Sequence, residues 1–152
     1  MTEALIGSDV ARVIQLAIAP VFLLAGIGAF MNVITARLSR VVDRARLLEA
    51  RHDELDADGR RAQVGELRVL EARMTLAGQA IYLCTASGLT VCLLVITLFV
   101  GELIDASLGD PVALLFVLAV LLLAGGMVQF LRETRIAVRA LHVRRELLDL
   151  DR

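Results

Sequence analysis

Three long apolar runs restrict what this chain can fold into. They extend over residues 14–34, 78–100 and 112–131, and each is close to the roughly 20 residues that a helix needs to cross a hydrocarbon core. With 58% hydrophobic and only 4% aromatic residues, the chain has the composition of lipid-facing helices rather than of a packed enzyme core. The sequence therefore predicts an all-α integral membrane protein with three transmembrane helices, forming a single three-span domain over residues 1–152.

The first apolar run is expected to be a retained span rather than a cleaved signal peptide. The run is too long for a signal peptide, no basic segment precedes it, and it continues directly into charged sequence. Pro20 lies inside this run and removes one backbone hydrogen bond, so we expect a kink or a neighbouring helix beside it.

The arginines predict how the spans are oriented. Nine lie between residues 35 and 77 and six lie between 132 and 152, whereas the connection 101–111 has none and the segment before the first span has one. Because basic residues favour the cytoplasmic side, the N-terminus is predicted outside and the C-terminus in the cytoplasm. The predicted location is a bacterial cytoplasmic (inner) membrane, crossed several times.

Helical periodicity continues beyond the membrane on the arginine-rich side. Apolar residues recur at heptad-like spacing after the first span and again before the second. The stretch "DADG" (56–59) separates the two series and has the residue types of a turn. We therefore predict a long cytoplasmic antiparallel helical hairpin over about 37–77 and a cytoplasmic C-terminal helix over 132–152. The two apolar series are Ile34, Leu38, Val41, Ala45, Leu48 and Leu55, and Leu67, Leu70, Met74, Ala77 and Ile81.

Charges give a predicted register for this hairpin. If the two helices fold about a turn at 57–59, four pairs of opposite charge face each other, and each exposed pair contributes about 0–1 kcal/mol. This register leaves Arg37 and Arg40, at the membrane boundary, without an acid. Their predicted role is to contact lipid phosphate or to line a vestibule. The four predicted pairs are Asp43 with Arg73, Arg44 with Glu71, Glu49 with Arg68, and Arg51 with Glu66.

The stretch "IAPVFLLAGIGAFMNVITARLSRVVDRARLLE" (18–49), followed by the arginine-rich hairpin and two further spans, resembles a known family. It is similar to the bacterial membrane proteins grouped as domain of unknown function 2721. The resemblance covers about residues 13–131 and includes Pro20, Asn32 and the run from Arg37 to Arg46. It implies a three-span membrane topology. Because the family lacks an established activity, the resemblance assigns no catalytic or ligand-binding role to any residue.

Polar residues of the first span are the candidate sites within the membrane. Gln15, Asn32 and Thr35 are expected either to hydrogen-bond a neighbouring helix or to line a water-filled path. Small residues form stripes on all three spans, including Gly28, Gly88 and Gly125, and such stripes permit close helix contact. Three thin helices bury little surface alone, so a homo-oligomer is predicted.

Several classes of function are disfavoured. The centres of the spans carry no ionisable residue, unlike those of most coupled transporters. Enzyme motifs are missing, and the two cysteines and two histidines lack the spacing of a metal site. We expect no enzyme activity, no metal and no cofactor. A net charge of −1 gives no field that would attract nucleic acid.

Two hypotheses remain, and both require self-association. In the first, the hairpin and tail form an assembly or regulatory module that binds a cytoplasmic protein, while the juxtamembrane arginines contact anionic headgroups. In the second, the chain is a homo-oligomeric ion channel with first-span helices around the pore. Asn32 and Thr35 would then line the pore and arginine rings would favour anions.

Overall fold

The computed structural model consists of three α-helices, α1 (Thr2–Ala50), α2 (Ala57–Leu103) and α3 (Gly109–Asp149). The structure describes the backbone of residues 2–50, 56–104 and 108–149 and the side chains of 14–50, 56, 58–104 and 108–139. Each helix is long and apolar enough to cross a membrane. The predicted all-α class and the three apolar helices are therefore confirmed.

Each helix extends well beyond its apolar run. α1 continues from the first span to Ala50, and α2 begins some twenty residues before the second span, as the periodicity predicted. α3 likewise extends through the predicted tail to Asp149. Pro20 is buried inside α1, and the helix continues on both sides of it. Continuous helices therefore connect the apolar and the charged parts of the chain.

The start of α2 differs from the sequence prediction. The "DADG" stretch was predicted as the turn, but α2 already begins at Ala57. The Gly59 amide donates to the Asp56 carboxylate at 2.8 Å, so Asp56 is the N-cap of α2. The same residue types serve turns and caps, because both use a short polar side chain to bind backbone N–H groups. The connection between α1 and α2 therefore lies before Asp56.

Packing divides the chain into two compact units. The first, called here the apolar unit, comprises Met1–Met31 and Leu83–Gly125. All three helices meet within it. The Ser87 hydroxyl of α2 donates to the Ala119 carbonyl of α3 at 2.7 Å, and both residues are fully buried. This hydrogen bond fixes α2 and α3 against each other in the part of the chain richest in apolar residues.

Two of the predicted small-residue positions lie at helix contacts of the apolar unit. A Cβ atom built on Gly88 would lie 3.5 Å from Leu24 of α1, and one built on Gly125 would lie 3.4 Å from Leu83 of α2. Gly28, in contrast, has open space at its Cβ position. The stripe on α1 is therefore not used to pack the helices of one chain.

The second unit, called here the polar unit, comprises Asn32–Tyr82 and Gly126–Arg152. Val41 and Ala45 of α1 are buried together with Leu70 of α2 and form a small hydrophobic core. The buried Gln63 side chain donates to the Leu48 carbonyl. Because a late residue of α1 meets an early residue of α2, the two helices are antiparallel here. Leu48, Leu67 and Met74 pack around this core.

Ion pairs of the polar unit correct the predicted register. Arg44 pairs with Glu66 at 2.9 Å rather than with Glu71. The physical reason is the cap at Asp56: because α2 already begins at Ala57, the α2 residue that meets Arg44 has a lower number than predicted. Glu49 and Arg68, a further predicted pair, are both exposed and form no ion pair in the described part of the chain. Arg51 lies outside the described residues, so its predicted pair is not described.

Candidate functional site

A buried carboxylate joins all three helices of the polar unit. Glu133 of α3 is only 2% exposed. Arg73 of α2 donates to its Oε1 atom from Nε at 2.9 Å and from Nη2 at 2.8 Å. Arg37 of α1 lies with its Nη2 atom 3.3 Å from Oε2. We call these three residues the Glu133 cluster.

The sequence places these charges at comparable positions on the three helices. Arg37 follows the first apolar run, Arg73 precedes the second, and Glu133 follows the third. A carboxylate so deeply buried is destabilising unless it is paired and hydrogen-bonded. Two arginines from two different helices meet that requirement. The cluster therefore ties the three helices together where their apolar runs end.

The cluster changes the expected partners of two arginines. The sequence predicted Asp43 as the partner of Arg73 and no acid for Arg37, and the structure instead gives both arginines Glu133. The predicted register considered only two helices, whereas α3 supplies the acid here. Arg37 also stacks over Phe130 of α3, with its guanidinium carbon 5.3 Å from the ring centroid. Such a cation–π contact further stabilises the packing of α3 against α1.

A cavity of about 410 Å³ opens beside the cluster. Four guanidinium groups from α1 and α2 contribute to its wall, and two of them belong to the Glu133 cluster. Arg40 is exposed and forms no ion pair within the described residues. Guanidinium groups arranged in this way favour an anion with several acceptor oxygens. The lining residues of this arginine cavity are Arg37, Arg40, Val41, Arg44, Leu70 and Arg73.

The comparison with protein families decides where the chain belongs. The family described as "Protein of unknown function (DUF2721)" matches residues 17–143. The chain belongs to this family. The resemblance noted in the sequence is thereby confirmed, and the match includes the Glu133 cluster and the arginine cavity of this DUF2721 protein. No curated protein and no solved structure matches the chain.

The polar residues predicted within the first span are all exposed in the DUF2721 protein. Gln15, Asn32 and Thr35 lie on the surface of α1. The Thr35 hydroxyl donates to the Asn32 carbonyl of its own helix at 3.1 Å, and its carbonyl accepts the Ser39 hydroxyl at 3.0 Å. The Gln15 and Asn32 side chains form no hydrogen bond with the described residues of the chain.

No metal site is present among the described residues, which include no group of three or more His, Cys, Asp or Glu side chains placed to hold an ion. Cys84 is buried and Cys92 is exposed, and both are free thiols. Neither histidine lies within the described side chains.

Sequence reasoning missed Glu133, the residue that organises the site. It lies between Arg132 and Arg135 in a charged tail, which is typical of solvated helix surface. One signal was available, since Glu133 is the first acid after the third apolar run. A second missed contact is nearby in the polar unit, where the Gln129 amide of α3 donates to Gln79 of α2 at 2.8 Å.

Proposed function

We propose that this DUF2721 protein is a non-enzymatic, self-associating inner-membrane protein whose arginine-rich helical region acts as an assembly or regulatory interaction module. The observation that carries the proposal is the Glu133 cluster. Helices that only leave a membrane can end as separate solvated segments, and they need no buried acid. A carboxylate 2% exposed and held by two other helices makes the polar unit one defined body with a fixed surface.

In this proposal the polar unit lies in the cytoplasm and the N-terminus lies outside. The support is the arginine distribution, with fifteen of sixteen arginines in the two segments 35–77 and 132–152. Anionic headgroups and a cytoplasmic protein are the proposed partners. Cysteine labelling tests the orientation: in a variant without Cys84 and Cys92, a new cysteine at Gly109 should react with a membrane-impermeant maleimide added outside, and one at Arg61 should react only after lysis. The reverse pattern would contradict the orientation.

Exposed side chains on the spans support self-association. Only 22%, 28% and 11% of the most apolar windows of the three helices are buried within one chain. Lipid tails can cover apolar side chains, but they offer no hydrogen-bond partner for the exposed Asn32 amide, whereas a second copy can supply one. Gly28 has open space at its Cβ position and permits close approach on α1.

Mass measurement tests self-association directly. The chain weighs 16.5 kDa, so native mass spectrometry of nanodisc-embedded protein should give multiples of this mass. Replacing Asn32 by leucine should reduce the oligomeric fraction, and replacing the exposed Leu114 of α3 by alanine serves as the control. A single-copy species at every protein-to-lipid ratio would contradict the proposal.

A photo-crosslinking residue tests the interaction module. Arg61, with an 84% exposed side chain, is the position for the crosslinker, and Leu114 on the apolar part of α3 is the control position. The proposal expects a protein adduct of defined mass from position 61 that position 114 does not give. Adducts only to further copies of the chain would restrict the module to self-assembly.

A second candidate is a homo-oligomeric ion channel, which the exposure of Gln15, Asn32 and Thr35 favours. Asn32 and Thr35 lie three residues apart and therefore on one face of α1, so several copies of α1 around an axis would bring these two side chains to a water-filled pore. Reconstitution into liposomes tests this candidate through chloride and potassium flux. Flux that the Asn32→Leu variant alters supports a channel. Absence of chloride and potassium flux over a range of voltages contradicts the channel candidate. That result would not affect the interpretation of the oligomer measurements above.

A further inference from the structure

The charges around the arginine cavity do not cancel. Four guanidinium groups line it, whereas two carboxylates are bonded to them. Glu133 is shared by Arg37 and Arg73, and Glu66 is bonded to Arg44. Arg40 makes no ion pair in the part of the chain that the structure describes. The cavity is therefore cationic, with Arg40 as the guanidinium available to a ligand.

The carboxylates also orient the guanidinium groups. Arg73 uses two of its nitrogen atoms on one oxygen of Glu133, and Arg44 likewise directs Nε and Nη2 to Glu66 at 2.9 Å each. Side chains held in this way lose little rotamer freedom when a ligand binds, because they are already ordered. Val41 and Leu70 add an apolar part to the wall. The cavity thus combines ordered donors, a free charge and an apolar surface.

The position of the cavity indicates which anion it meets. Arg37 and Arg40 lie three and six residues beyond the end of the first apolar run, at Ile34, and Arg73 lies five residues before the second, at Gly78. In a spanning helix these positions are at the level of the lipid headgroups, outside the hydrocarbon. Phosphate is the anion of that layer. Arginine binds it with paired donors matched to its oxygens.

We propose that the arginine cavity is a binding site for a single phosphate group, with Arg40 as its main ligand and the Glu133 cluster as the frame that positions Arg37 and Arg73. Either a lipid headgroup or soluble phosphate supplies the same group. The inference deepens the proposed function, which names anionic headgroups as partners, and it rests on the membrane-spanning placement of the helices. It depends on the cavity within one chain, so it holds whether or not the chain self-associates.

Isothermal titration calorimetry in a nonionic maltoside detergent tests the site and separates the two sources. The titrants are dihexanoyl phosphatidic acid and inorganic phosphate, at one constant ionic strength. Binding of the lipid at least ten times more tightly than inorganic phosphate identifies a headgroup site, in which Val41 and Leu70 contact the lipid. Similar affinities identify a soluble phosphate site. Absence of binding by both titrants overturns the proposal.

Variants distinguish specific phosphate binding in the cavity from nonspecific binding to a basic surface. Arg40→Gln removes a charge-assisted contact and should weaken phosphate binding by about ten-fold or more. Arg46→Gln is the matched control, because Arg46 is exposed on the same helix, forms no ion pair among the described residues and does not line the cavity. It should change the affinity by less than two-fold. Equal weakening by both variants overturns the proposal, as does unchanged binding by Arg40→Gln.

Arg40→Lys adds a second criterion and keeps the charge of the side chain. Lysine binds phosphate as a point charge and lacks the paired donors of arginine. The proposal therefore expects an affinity between those of the unchanged protein and Arg40→Gln. Because Arg40 is exposed, both replacements should leave the fold intact, and unchanged far-ultraviolet circular dichroism should confirm that the helices remain. Full binding with glutamine and loss with lysine would contradict the assigned role.

Discussion

Replacing Arg73 by glutamine removes the stronger of the two arginine partners of the buried Glu133 carboxylate. Arg73 donates from two nitrogen atoms at 2.8 and 2.9 Å, whereas Arg37 approaches at 3.3 Å. The Arg73 side chain is 20% exposed and that of Arg37 is 33% exposed. The variant therefore leaves a charge that is still buried, with its more distant, more solvated arginine and a long hydrogen bond of 3.5 Å from the Thr134 hydroxyl.

The expected loss follows from this geometry. Breaking a buried ion pair by removing one partner costs about 3–5 kcal/mol. Because Arg37 remains and compensates part of the charge, we expect the lower end, about 3 kcal/mol, for Arg73→Gln. Arg37→Gln removes one longer contact to a better solvated group and should cost about 1–2 kcal/mol. The main prediction is therefore the order of the two losses in stability, with Arg73→Gln costing more than Arg37→Gln.

Hydrogen exchange measured by mass spectrometry in nanodiscs is suited to this prediction, because it reports the free energy of local opening for each segment. At about 1.4 kcal/mol per factor of ten, Arg73→Gln should accelerate exchange in peptides covering residues 126–139 by about 100-fold. Arg37→Gln should accelerate it by about ten-fold. Arg68→Gln is the matched control on α2, since Arg68 is exposed and forms no ion pair within the described segments.

Two results would refute the reasoning. The first is equal exchange in the Arg73→Gln and Arg68→Gln variants, because the Glu133 cluster would then not hold α3. The second is a larger effect for Arg37→Gln than for Arg73→Gln, because the energies would then not follow the distances and exposures. Glu133→Gln combined with Arg73→Gln closes a double-mutant cycle, and a coupling energy near zero would also count against the cluster.

Three further predictions rest on single contacts. Ser87→Ala removes the buried hydroxyl that donates to Ala119 and should lower the free energy of unfolding by about 0.6–1.7 kcal/mol, measured in mixed detergent micelles. Asp56→Ala removes the N-cap of α2 and should cost about 1 kcal/mol, seen as faster hydrogen exchange in the first turn of that helix alone. Arg44→Gln breaks a half-exposed pair with Glu66 and should cost less than about 1 kcal/mol, with the difference from the unchanged protein disappearing at high salt.

The extents of the helices could be predicted from the sequence, because the apolar spacing continues from each span into the charged region. Val41, Ala45 and Leu70 were predicted as parts of apolar series, and all three are buried together. Spacing along a helix is local information, since the side chains that share a face are fixed by the helical repeat. Spacing along one helix does not determine which residues of another helix pack against that face.

The register and the Glu133 cluster illustrate this limit. The register depends on where the connection lies, and Asp56 fits a turn and a helix cap equally well. Two hydrogen bonds in the structure distinguish them: the Gly59 amide donates to the Asp56 carboxylate, and the Arg60 amide donates to the Asp56 carbonyl as the first backbone bond of α2. Burial of Glu133 depends on the meeting of three helices, which no spacing within α3 encodes. A charged residue between arginines is usually solvated, and the one signal that set Glu133 apart, its place as the first acid after the third apolar run, does not say which helices it meets.

The ion pair with Glu133 also distinguishes Arg37 from Arg40 as candidates to contact an anion. The sequence left Arg37 and Arg40 without acids, which made them equal candidates for a lipid contact or a vestibule ring. Arg37 is now partly neutralised by Glu133 and covered by Phe130, so its charge serves chiefly to join α1 to α3. Arg40 retains its full charge and lines the cavity. If the proposed phosphate site exists, Arg40 is therefore the arginine expected to contact the anion, whereas Arg37 is expected to contribute through the orientation that Glu133 gives it.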